Sequence, residues 1–157
     1  MSTSPDSEIE LPSFGMALYG TQGRVTPDTE AHWRAAAQRR YTVPTCDDCG
    51  THRWPLDLVC YACGSRRWSW QQVPGTGTVY TYTWIDSPTH PGNAGDNVVV
   101  VELDGTKGEP VRVPGWVVGV GQGELACGMP VEVDFEIIND HIGVPFWKPA
   151  GVPGAQG

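Results

Sequence analysis

Four cysteines in two matched knuckles limit what this chain can fold into more than any other feature: Cys46-Asp-Asp-Cys49-Gly50 and Cys60-Tyr-Ala-Cys63-Gly64. Two intervening residues let both thiolates of a knuckle reach one ion from a single tight turn. The ten residues between Cys49 and Cys60 suffice for a short hairpin that brings the second pair round to complete a tetrahedron. A glycine follows each second cysteine, where the turn needs a positive φ and a close backbone approach to sulfur. The expectation is a structural zinc site closed by Cys46, Cys49, Cys60 and Cys63, with no open position for water or substrate. Iron in a rubredoxin-like site would use the same soft ligands. Disulfides fit worse, because Met1 to Asp6 have neither the basic nor the apolar stretch of an export signal. A thioredoxin-like redox pair would open a helix in a βαβ unit, and no such pattern flanks either knuckle.

The remaining residues read as mainly β. The 157 residues include 20 glycines and 14 prolines, and short Val/Tyr/Thr/Trp runs recur between them, a pattern of strands and turns. No apolar run approaches the ~20 residues of a membrane helix, and the expected compartment is the cytoplasm, where Cys127 stays reduced in a buried turn. Residues 1–25 read as a flexible segment carrying an apolar patch, Phe14, Met16, Leu18 and Tyr19, which either folds back or docks on a partner. Residues 26–72 read as a helix plus a zinc ribbon. Thr26-Pro27-Asp28-Thr29-Glu30 supplies cap chemistry, Ala31 to Ala37 the helix, and Arg39 and Arg40 its C-terminal cations. Tyr41 to Pro44 reads as a strand, His52 to Pro55 and Leu56 to Val59 as the arms of a ribbon hairpin, and Ser65 to Trp70 as the strand leading out.

Residues 73–149 read as five strands of a barrel, followed by a flexible tail over 150–157. Val79 to Ile85 alternates strongly, and a Pro/Gly/Asn-rich loop follows from Ser87 to Asn97. The later strands are Val98 to Leu103, Val111 to Val118 bent at Pro114-Gly115, Val131 to Ile137, and Ile142 to Trp147. Five strands with a long loop after the first suit an oligonucleotide/oligosaccharide-binding (OB) barrel. Tyr80, Tyr82 and Trp84 are expected to pack inward, and Asp134 and Glu136 to face water.

Read together, Arg39-Arg-Tyr-Thr-Val-Pro-Thr-Cys46-x-x-Cys-Gly, Arg53-Trp-Pro, Cys60-x-x-Cys-Gly-Ser and Gly75-Thr-Gly-Thr-Val-Tyr-Thr-Tyr-Thr83 resemble the DUF35 family. Cys127-Gly-Met-Pro-Val-Glu-Val-Asp-Phe135 and Val144-Pro-Phe-Trp-Lys-Pro149 extend the resemblance, which runs from about Thr26 to Pro149. It implies a rubredoxin-like zinc ribbon joined to a C-terminal OB-fold. It also implies an acyl-CoA-associated accessory subunit of a thiolase-fold partner. Among such partners are thiolases, acyltransferases and the lipid-transfer-protein-type aldolases that cleave β-hydroxyacyl-CoA in bacterial steroid side-chain breakdown. The partner would supply the catalytic groups. A stand-alone acyl-CoA binder and a single-stranded nucleic-acid module are the other classes.

Charge weighs against nucleic acid. After Arg67 there are three basic residues against ten acidic ones, and a barrel so acidic repels a phosphate backbone. Seven of the ten basic residues lie between Arg24 and Arg67. Of these, Arg34, Arg39, Arg40, Arg66 and Arg67 are the candidates for gripping CoA phosphates, set against a plain reading as solvated surface charge. Catalysis by this chain alone finds little support. Cys127 has no histidine nearby in sequence, and His90 and His141 are lone loop histidines. His52 is expected beside the metal site but not on it, since four sulfurs fill the coordination shell.

Overall fold

The computed structural model describes residues 25–85 and 97–151. The apolar patch Phe14, Met16, Leu18 and Tyr19, His90, and most of the proposed end segments lie outside them. Within the described residues the elements run α1 (Glu30–Ala37), β1 (Thr42–Cys46), β2 (Trp68–Gln72), β3 (Thr76–Trp84), β4 (Asn97–Leu103), β5 (Arg112–Gly115), β6 (Pro130–Asn139) and β7 (Ile142–Pro149).

The helix begins at Glu30, after the residues expected to cap it. Pro27 lies in a turn before it, closed by the Thr29 and Glu30 amides donating to the Thr26 carbonyl. The helix ends in a Schellman arrangement: the Arg39 amide donates to the Ala36 carbonyl and the Arg40 amide to the Ala35 carbonyl. Arg39 takes the left-handed position at φ 58°, a place where glycine is usual. Arg39 and Arg40 therefore lie beyond the helix, not in its last turn. Gly143 of β7 lets the helix settle on the sheet, since a Cβ there would strike the backbone of Ala36.

β1 and β2 form an antiparallel pair with Thr42 opposite Gln72 and Cys46 opposite Trp68. All five residues of β1 are buried, and the metal-site segment, residues 47–67, is carried between the two strands. The expected hairpin of His52 to Pro55 against Leu56 to Val59 does not form. Pro55 has no amide to donate, Leu58 and Val59 stay exposed, and the ladder contact is a single bridge between Thr45 and His52. His32 is the hub where helix and ribbon base meet, with Trp33, Tyr41, Trp54 and Trp70 around its ring. Its Nδ1 lies 3.1 Å from Thr42 Oγ1, and burial drives its pKa down to about 4.

The second sheet has the order β5-β4-β3-β6-β7, every neighbour antiparallel. It curls until the segment after β5 meets β7 in parallel. There the Val118 amide donates to the Trp147 carbonyl and the Trp147 amide to the Trp116 carbonyl. The Asn97 side chain helps hold this seam, accepting from the Val117 amide at 2.8 Å and donating to the Val117 carbonyl at 2.9 Å. This is the expected five-stranded OB arrangement, with a narrow closure. The third strand is accordingly shorter than expected, ending at Gly115.

Two bulges alter which side chains point inward. Between Val79 and Thr81 the register with β4 slips, so Val79 is buried, Tyr80 is pushed out, and Tyr82 and Trp84 pack against the core. Tyr80 is 51% exposed and carries the Arg112 guanidinium 3.7 Å over its ring, contrary to the inward packing expected of it. A second slip between Ile137 and Asn139 leaves Ile137 exposed and turns Ile138 toward Trp116, Ile142 and Val144. The main core joins Val79, Val99, Val101, Val113 and Val131 of the barrel to Tyr41, Val43 and Val73 of the ribbon base.

Candidate metal centre and its surroundings

The two knuckles are built alike. In the first, the Cys46 carbonyl accepts from the Gly50 amide and the Cys46 amide donates to the Thr51 carbonyl; in the second, Cys60, Gly64 and Ser65 repeat both bonds. Gly50 and Gly64 sit at φ 73° and 76°, as the spacing required. The four sulfurs lie within 4.8 Å of one another, with Cys46 to Cys63 at 3.6 Å and Cys49 to Cys60 at 3.7 Å. Four thiolates about 2.3 Å from a tetrahedral ion stand about 3.8 Å apart, so the donor set fits a metal such as zinc.

The thiols differ in acidity. The Thr51 hydroxyl, 3.1 Å from Cys49 Sγ, and the Thr51 amide hold the Cys49 thiol down at about 6. At Cys63 the Ser65 amide favours the thiolate, but Cys49, burial, Cys46 and Cys60 together outweigh it and push the thiol up to about 12. Metal binding requires the thiols to lose their protons, and the negative charge so produced is what a divalent cation neutralises.

Acidic residues of the first knuckle anchor the strand leaving the second. Asp48 accepts from Ser65 and pairs with Arg67, which holds its carboxyl down at about 2, and the Ser69 hydroxyl donates to Asp47 at 2.6 Å. The β4–β5 loop reaches back to the ribbon. His52 donates its amide to the Lys107 carbonyl and accepts from the Lys107 amide at Nδ1, while Lys107 Nζ donates to the Cys49 carbonyl at 2.6 Å. Tyr61 adds a contact, its hydroxyl accepting from the Glu109 amide. His52 is thus a bridge from ribbon to barrel and not a ligand. Burial, with Lys107 beside it, keeps its pKa below the ordinary value.

The five candidate arginines fall in two places. Arg34 pairs with Glu30 at 2.7 Å and lies 2.9 Å from His141 Nδ1, and Arg39 pairs with Asp134 at 3.0 Å, so both tie the helix end to the β6–β7 hairpin. Arg40 donates to Gln38. Arg67 is committed to Asp48, and Arg66 is exposed beside it. Among the described residues Arg40 and Arg66 have no carboxylate partner. Asp134 is half-buried between Arg39 and Lys148, and Glu136 is exposed. Cys127 is exposed, not buried as expected, because its loop lies outside the sheet. Arg53, whose amide donates to the Pro44 carbonyl of β1, is buried. Its Arg-Trp-Pro setting has no pattern that separates it from the surface arginines.

Comparisons with known proteins agree with this architecture. The model of the ChsH2 C-terminal OB-fold domain matches residues 70–136. A solved structure described as the Ltp2-ChsH2(DUF35) aldolase is 32% identical, with a TM-score of 0.68 over 80% of this chain and 97% of the matched one. The probable enoyl-CoA hydratase alpha subunit of Thermomonospora curvata is 33% identical over 127 residues, 80% of this chain. This chain spans 39% of that relative's length. A DUF35 protein of unknown function from Sulfolobus solfataricus, 13% identical, shares the fold with a TM-score of 0.57 over 87% of this chain and 92% of that one.

Proposed function

The chain belongs to the DUF35 family, and from that premise we propose that it is a non-catalytic accessory subunit of a thiolase-fold enzyme acting on acyl-CoA. The reaction proposed for the complex is retro-aldol cleavage of a β-hydroxyacyl-CoA of the steroid side-chain type. The observation that carries this reading is the likeness to the ChsH2(DUF35)-containing aldolase, which extends over nearly all of the matched chain. The ion assigned to the cysteine site is zinc, in a structural role. It holds the ribbon in the shape that the β4–β5 loop grips through Lys107. The subunit works in the cytoplasm, where its thiols stay available to metal.

In this reading the partner supplies the groups that break the carbon–carbon bond, and this chain supplies a surface toward CoA and stability to the complex. Arg34, Arg39, Arg40, Arg66 and Arg67 are the proposed CoA-facing cations, with Arg40 and Arg66 the readiest because no carboxylate among the described residues holds them. The segment carrying Phe14, Met16, Leu18 and Tyr19 is proposed to touch the partner. Co-expression with a thiolase-like subunit, one of the two tagged, tests the assignment. The pair co-purifies and cleaves a β-hydroxyacyl-CoA, and neither chain does so alone. Turnover by this chain alone overturns the reading. A pair that performs thiolysis or acyl transfer instead moves the assignment to the thiolase or acyltransferase class.

A further inference from the structure

Among the described residues one charged side chain, Arg53, is buried without a polar partner. Arg53 is 5% exposed and its Nε, Nη1 and Nη2 are closed to solvent, yet among the described residues they have no hydrogen-bond partner and the side chain forms no ion pair. Its backbone is fixed by a 3.0 Å bond from its amide to the Pro44 carbonyl of β1, so it is not a loose surface group. A guanidinium taken out of water without an anion is among the costliest arrangements a fold can keep. Arg53 lines a cleft of about 230 Å³ between the ribbon and the β4–β5 loop, together with Asp57, Val59, Tyr61, Glu109 and Val111. Val59 and Tyr61 are 40% and 54% exposed, and Leu58, between two lining residues, is 82% exposed.

We propose that this cleft is the seat of a single carboxylate, an aspartate or glutamate side chain on an apolar segment of the partner subunit. The proposal rests on the accessory-subunit reading above. The forked guanidinium matches a carboxylate in bidentate geometry. The unburied Leu58, Val59 and Tyr61 give the apolar neighbours of that carboxylate a surface to cover. Size and charge disfavour CoA itself. The cleft is smaller than the ~300–1,000 Å³ typical of sites for drug-sized ligands. Asp57 and Glu109 line the same cleft and would repel the several charges of a polyphosphate more strongly than the single charge of a carboxylate, which Arg53 can offset. Binding would give the arginine the partner that it lacks among the described residues.

The test uses the full, metal-loaded chain with Arg53→Met, which keeps length and removes charge, and Arg53→Lys. In the isolated chain, Arg53→Met raises Tm by about 2–4 °C, because an unpaired buried charge is gone. It weakens binding to the thiolase-like subunit at least tenfold, and Arg53→Lys falls between. In wild type, an acetylated and amidated Leu-Glu-Leu peptide shifts the Arg53 Nε–H resonance, and the Leu-Gln-Leu control does not. Partner affinity within twofold of wild type for Arg53→Met, or a fall in its Tm, overturns the proposal. Stronger shifts from pyrophosphate or coenzyme A also overturn it, making the cleft a cofactor subsite. If the wild-type chain binds no thiolase-like subunit, the accessory reading itself fails. The peptide pair then decides the cleft alone, a Glu-specific shift supporting the carboxylate seat and equal responses rejecting it.

Discussion

The ribbon and the barrel solve the same problem of burying enough surface in opposite ways. Between Cys46 and Arg67 the buried side chains are Cys46, Cys60, Thr51 and Arg53, with no aliphatic residue among them. The barrel buries Val79, Val99, Val101, Val113 and Val131 almost completely, and closes around Trp147. A segment with no apolar interior gains little from leaving water, so its shape depends on the bonds its sulfurs make. The barrel needs no such help. The difference teaches that a cysteine cluster and an aliphatic core organise two parts of one molecule, joined at His32, His52 and Lys107.

The sharpest way to break the comparison is to remove a ligand. Cys60→Ser leaves three thiolates, and structural zinc binding in small modules is worth about 10–16 kcal/mol, so the ribbon should unfold. Metal analysis should find no bound ion, while far-ultraviolet circular dichroism keeps the β signal of the barrel. The barrel has its own weak point. Trp147→Ala opens a cavity beneath Tyr41 and the β5–β7 seam and should cost about 3–5 kcal/mol by denaturant melting, with metal still bound.

The seam between the regions should titrate. Burial lowers His32 from 6.5 to about 4, so below pH 6.5 the unfolded chain takes up a proton that the fold refuses. Stability is full above 6.5 and falls by about 3 kcal/mol as the pH drops to 4. The His32 Cε1–H resonance should stay flat from about pH 7 to 5, identifying the group responsible. The smallest effect expected is a gain. Arg39→Gly removes a left-handed strain of about 1–2 kcal/mol and loses a surface ion pair of about 0.5 kcal/mol. A net stabilisation of about 1 kcal/mol should appear in thermal melts.

How much was legible in the sequence follows from how local each signal is. The knuckles could be read because ligand spacing and the glycine after each second cysteine are local geometry. The barrel strands could be read because their valines alternate. The bulges at Tyr80 and Ile138 could not, since a register slip depends on the partner strand, and one slip moves every later side chain to the other face. The hairpin expected at His52 to Val59 failed because the strand opposite β1 comes from Trp68 to Gln72, well beyond the second knuckle. Arg53 was hidden for a related reason. Only the fold shows that Arg53 is buried beside the β4–β5 loop with no partner for its nitrogens among the described residues.

The central contrast is best tested by recording amide spectra of the labelled full chain while a chelator strips the metal. Resonances from Asp47 to Arg66 should collapse to unfolded positions while those of Val99, Val101, Val113 and Val131 hold their places. Collapse of both sets together, or survival of the ribbon resonances after the ion has gone, would contradict it.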